Sequence, residues 1–171
     1  MKLEETIGQL LVGRRLTLAI AESCTGGLIG HRLTNVPGSS EYFLGGIIAY
    51  AYEAKERLLG VRPETLIKFG AVSEQTACEM ARGARRVLGA HLAVAVTGIA
   101  GPGGATPEKP LGLTWIALCA PDFEQAQRYV WDGDRQSNKA QSAEAALRLV
   151  ERYLQRKDPG AGEPGGKREA S

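Results

Sequence analysis

Apolar residues first recur at helical spacing. Leu3, Ile7, Leu10 and Leu11 share one face of residues 3–14, with Glu4 and Glu5 early and Arg14 and Arg15 late, the charge order that suits a helix dipole. The period then disappears. LTLAIA (16–21) is a continuous apolar run, as expected of a strand buried on both faces. After ESCTGG, residues 28–33 read as the opening of a second helix, closed by Pro37 and Gly38. YFLGGIIA (42–49) reads as a second strand, with Gly45 and Gly46 marking a bend or a close approach. A short helix, EAKERLLG, places Gly60 where a C-cap glycine sits. From an N-cap at Ser73, a longer helix aligns Ala77, Met80, Ala81, Ala84, Val87 and Leu88 on one face. LAVAVT (92–97) is another buried-type strand and runs into GIAGPGGATPEKP; GLTWIALCA and QAQRYVW follow as strands. The last helix starts at Asp134 and carries Ala143, Leu147, Val150 and Leu154 at core spacing.

Helices between apolar strands predict an α/β fold: a single-domain layered α/β/α sandwich, its sheet mostly parallel with antiparallel strands late in the chain. At 171 residues and 43% hydrophobic, the sequence supports one buried core spanning residues 1–156. Residues 157–171, KDPGAGEPGGKREAS, lack large apolar side chains and are expected to be a disordered tail. No internal repeat is visible.

Charge narrows the function classes. Lys and Arg total 21 against 19 Asp and Glu, a net +2 that exerts no general pull on nucleic acid or an anionic membrane. Cys24, Cys78 and Cys119 are widely and irregularly spaced, which fits neither a disulfide framework nor paired metal ligands. With no long apolar segment and no signal-peptide order at the N-terminus, the expectation is a reduced, soluble, cytoplasmic protein needing no metal or cofactor.

Two glycine-rich segments follow buried strands, the positions where ligands gather in α/β sheets. In AESCTGG (21–27) the glycines let backbone amides approach a ligand; equally, Ser23 or Thr25 is a simple helix cap. TGIAGPGG (97–104) offers consecutive backbone donors suited to phosphate, yet is neither a Walker loop nor GxGxxG, and an ordinary connecting loop fits as well. Ser23 as nucleophile needs a base. His31 lies too far along its helix and His91 precedes a strand, so both read as structural or surface residues. Cys24 lacks a histidine partner and reads as a buried thiol. Lys55, after the second strand, reaches the same end of the sheet, although a lysine beside Glu53 and Glu56 is ordinarily a solvated one.

AESCTGG, then Y-x-x-EAK with LLGV, GAVSE, TGIAGPGG and KPLG-x-TW together resemble the CinA C-terminal domain family, over about residues 3–155. Its enzymes are PncC-type nicotinamide mononucleotide amidohydrolases, and the chain is similar to their stand-alone form. The resemblance implies Ser23 as nucleophile, Lys55 as general base and Tyr50 as a dyad partner or proton relay. It also implies that Cys24, Thr25, Gly26 and Gly27, with Thr97, Gly98, Gly101, Pro102, Arg135 and Lys139, hold the nucleotide. The implied reaction needs no cofactor, and the implied partners are the small nucleotide and other copies in a homo-oligomer. Where the family carries Ser-Asn before EAK, this chain has Ala51 and Tyr52; where relatives often carry an arginine after GDR, it has Lys139, which cannot make a bidentate phosphate contact. Two other readings stay open: a non-catalytic nucleotide- or protein-binding module linked to competence or DNA repair, and an amidase for another small amide.

Overall fold

Alternation of large and small residues along the strands decides what each face of the sheet carries. Leu18 and Ile20, Leu92, Val94 and Val96, and Ile116 and Leu118 point to one side; Ala19 and Ala21, Ala93 and Ala95, and Ala117 and Cys119 point to the other. The computed structural model describes residues 1–156. Its elements are α1 (Leu3–Arg14), β1 (Leu18–Glu22), α2 (Leu28–Thr34), a 3₁₀ turn (Ser39–Glu41), β2 (Phe43–Ile48), α3 (Tyr52–Leu59), α4 (Pro63–Phe69), α5 (Glu74–Leu88), β3 (Leu92–Gly98), β4 (Leu113–Ala120), β5 (Phe123–Val130) and α6 (Arg135–Gln155).

The five strands lie in the order β2-β1-β3-β4-β5. β2, β1 and β3 pair in parallel; β4 pairs antiparallel with both β3 and β5, so β4 alone runs against the rest. The large-residue face packs against α1, α2 and α6, while the alanine face receives α3, α4 and α5. This is the expected three-layer α/β/α sandwich. Small residues on both partners let α5 lie close across β1, β3 and β4.

Several expectations shift. Pro63–Phe69 forms α4, which the sequence pattern does not announce; Pro63 occupies its first turn, where a missing N–H costs nothing. Val87 is 55% exposed rather than on the core face of α5. Asp134 caps α6 instead of opening it, accepting from the Ser137 amide at 2.8 Å. Gly46 is a close-approach residue: a Cβ there would stand 2.5 Å from Ile20 Cγ1. The expected disordered tail lies outside the described residues.

Topology places the chemistry. β1, β2 and β3 end at the same end of the sheet, and β5 delivers the chain there to α6. The segments after these strands, Ser23–Gly27, Tyr50–Lys55, Gly98–Pro102 and Arg135–Lys139, therefore converge.

Candidate active site

The loop from β1 into α2 is held from both sides. The Ser23 amide donates to Val96 O at 3.0 Å, fixing the serine to β3 as β1 ends. Glu22, 1% exposed, turns its carboxylate onto the start of α2, accepting from the Ile29 amide at 3.0 Å and the Gly30 amide at 3.2 Å. Those amides have no partner within a helix, so the carboxylate satisfies them and complements the positive helix end. Gly26 and Gly27, at φ 61° and 106°, make the reversal that a side chain would strain.

Lys55 enters this loop from α3. It is 1% exposed, and its Nζ donates to Ser23 Oγ at 3.0 Å, Ala49 O at 2.8 Å and Tyr50 O at 3.1 Å. All three acceptors are neutral. Burial lowers its pKa to about 8, opposed by the coulombic influence of Cys24. A serine hydroxyl within hydrogen-bond reach of a partly neutral amine is the pairing that lysine-assisted nucleophilic attack requires.

The remaining expected residues divide. The Tyr50 phenol does not touch the dyad; only its carbonyl meets Lys55, while the 62% exposed ring places its hydroxyl 3.2 Å from Arg135 Nη2 as acceptor. Tyr50 lies just beyond the end of β2, and its exposed phenol meets Arg135 rather than the Lys55 amine. Arg135 Nη1 donates to Gly101 O at 2.7 Å, joining α6 to the glycine loop, whose Gly101–Pro102 bond is cis. Lys139 Nζ approaches Gly26, lying 3.9 Å from where a Cβ would stand. Thr97 turns away from the loop and donates through Oγ1 to Ala71 O at 2.8 Å. Gly98 leaves room for the Cys24 sulfur and Thr114, its added Cβ lying 3.1 and 2.7 Å from them. Burial raises the Cys24 thiol to about 11, away from the thiolate a nucleophile needs. Thr25 Oγ1 is buried without a hydrogen-bond partner.

Neither histidine serves Ser23. His91 Nδ1 accepts from the Thr17 amide at 3.0 Å, at the opposite end of β1, and His31 pairs with Asn35 on α2. Among the described residues, no three His, Cys, Asp or Glu side chains gather to hold a metal ion. Sequence reasoning passes over two residues that build the site, Glu22 and Asn138. Asn138 donates to Ala100 O and accepts from the Gly133 amide, each at 3.0 Å, bracing the glycine loop against α6. A carboxylate ending a wholly apolar strand is the one sequence signal that points to Glu22.

Comparison with known proteins finds relatives over most of the chain. A putative competence-damage inducible protein from Moorella thermoacetica is 49% identical over 152 residues, 89% of this chain and 37% of that protein. A CinA-like protein from Chlorobaculum tepidum is 54% identical over 151 residues, covering 85% of this chain and 36% of the relative. The chain thus spans little more than a third of the length of these curated relatives. The crystal structure of competence damage-inducible protein A from Klebsiella pneumoniae superposes with a TM-score of 0.86 at 33% identity, covering 89% of this chain and 94% of that one. A competence/damage inducible protein from Agrobacterium tumefaciens gives 0.82 at 40% identity, with coverages of 90% and 96%. No helix among the described residues is long and apolar enough to cross a membrane. The CinA C-terminal domain model matches residues 1–154, and the chain belongs to that family.

Proposed function

We propose that the chain hydrolyses the carboxamide of nicotinamide mononucleotide to nicotinate mononucleotide and ammonia. The observation that carries this reading is the buried Lys55 Nζ, 3.0 Å from Ser23 Oγ, with only neutral acceptors around it. Ser23 Oγ attacks the carboxamide carbon as neutral Lys55 takes its proton. The resulting oxyanion needs donors, each worth about 3–4 kcal/mol. Ser23 and Gly26 amides already serve Val96 O and Ser23 O, so the Cys24, Thr25 and Gly27 amides are the available ones. Lys55 returns the proton to the departing ammonia. A water deprotonated by Lys55 then releases the acyl group from Ser23.

A phosphorylated substrate is supported by Arg135 beside Gly101 and Lys139 beside Gly26, two cations on consecutive turns of α6. Tyr50 acts through Arg135 in this reading, as a positioning residue. The test is ammonia release from nicotinamide mononucleotide by the wild type, Ser23→Ala and Lys55→Ala, each checked for folding. Activity that falls at least about a thousandfold in both variants is expected for a nucleophile and its base. A wild type that binds the nucleotide but releases no ammonia would overturn the reading in favour of a binding module. Activity surviving Ser23→Ala would remove the dyad.

A further inference from the structure

A cavity of about 530 Å³ opens between α3, the α4–α5 turn and the loop after β3. Tyr52, Lys68, Phe69, Gly104, Glu108 and Lys109 contribute to its wall, whereas Ser23, Lys55, Arg135 and Lys139 do not. Tyr52 stands on α3 and is 49% exposed. Its hydroxyl accepts from the Ala71 amide at 3.3 Å, and Ala71 O accepts from Thr97 Oγ1, so the ring is braced against the turn and the end of β3. Lys68 Nζ lies 5.1 Å from the Phe69 ring centroid, and Lys109 Nζ donates to Phe69 O. Among the described residues neither lysine, nor Glu108, belongs to an ion pair.

An aromatic wall, two cations without carboxylate partners and one free carboxylate match the three parts of a nucleotide. We propose that this cavity binds a nucleoside 5′-phosphate separate from the amide substrate, its base on Tyr52, its phosphate on Lys68 and Lys109, its ribose hydroxyls donating to Glu108. Lys109 supplies its charge at little reorganisation, since the bond to Phe69 O already orients it. The asparagine that the family resemblance leads one to expect at position 52 has no ring to offer a base. The site does not depend on the amidase reading, because it is defined by other residues.

The experiment is calorimetric titration of the full chain, carrying Ser23→Ala to prevent turnover, with adenosine 5′-monophosphate, adenosine and inorganic phosphate as probes. The monophosphate is expected to bind more tightly than either fragment. Tyr52→Asn and Lys68→Ala, both at exposed positions, should each weaken it about five- to tenfold, the scale of one stacking contact or one charge contact. Arg135→Ala should leave its affinity unchanged. Inorganic phosphate binding as tightly as the monophosphate would reduce the cavity to a plain anion site and overturn the proposal. So would an affinity weaker than about 1 mM. Loss of binding in Arg135→Ala with Tyr52→Asn unaffected would place the nucleotide at the substrate position, sinking this proposal while leaving the amidase reading intact.

Discussion

Lys55 has exchanged water for Ser23 Oγ and two backbone carbonyls, and that exchange sets its protonation. With a pKa of about 8, roughly a tenth of the amine is neutral one pH unit lower. If it is the base, kcat/KM for amide hydrolysis should rise about tenfold per pH unit below 8 and level off above it, as read from a pH–rate profile. A flat profile from pH 6 to 8 would remove Lys55 from the role. The same burial costs stability with a fixed sign. Folded Lys55 titrates near 8 and the unfolded residue near 10.5, so between these values the unfolded chain binds more protons and stability rises with pH. The penalty is complete below pH 8 and relieved by about 3 kcal/mol on reaching 10.5. Denaturant unfolding of wild type against Lys55→Met across that window should show the difference. The sequence carries Ser23 and Lys55 as residue types; their meeting depends on α3 packing against α5 on the alanine face, which no local pattern encodes.

At the scale of elements, α2 shows how a short helix is tied to the chemistry beside it. Seven residues give it little stability of its own, and its first amides are served by Glu22 from the preceding strand. Glu22→Gln keeps the shape but offers one acceptor oxygen where two are used, leaving a buried amide without a partner. The variant should lose about 1–3 kcal/mol in chemical denaturation. Ser23 begins the turn that Glu22 closes, so kcat should fall more than KM rises. Helices and strands with long periods were legible here: α1, α5, α6 and the buried runs of β1 and β3 follow from apolar spacing. α4 was not, because seven residues bearing Glu64, Ile67 and Lys68 on its open side carry too little period. Val87 misled because it falls at the margin of the buried face of α5: its neighbour Leu88 packs against the alanine-face core while Val87 is exposed.

Over the whole molecule, the two layers are built to different tolerances, and the Ser23–Lys55 contact depends on the tighter one. On the alanine face α5 approaches α3 so closely that a Cβ on Gly83 would fall 1.9 Å from Leu59 O. That carbonyl ends the helix carrying Lys55, so moving it moves the amine. On the other side α1 lies over large side chains, and Gly13 has open space around it, with nothing within 4 Å of an added Cβ. Gly83→Ala should therefore destabilise by several kcal/mol, since backbone rather than a flexible side chain must yield. Where the variant still folds, its ammonia release should fall at least about tenfold as Lys55 withdraws from Ser23. Gly13→Ala makes the same chemical change in a helix and should instead stabilise by about 0.5–1 kcal/mol with activity unchanged. Denaturation and activity measured on the pair separate a general response to a methyl group from one carried by the α3–α5 contact. Equal effects from the two would mean that the close approach of α5 does not position the lysine, and that Ser23 and the Ala49 and Tyr50 carbonyls hold it alone.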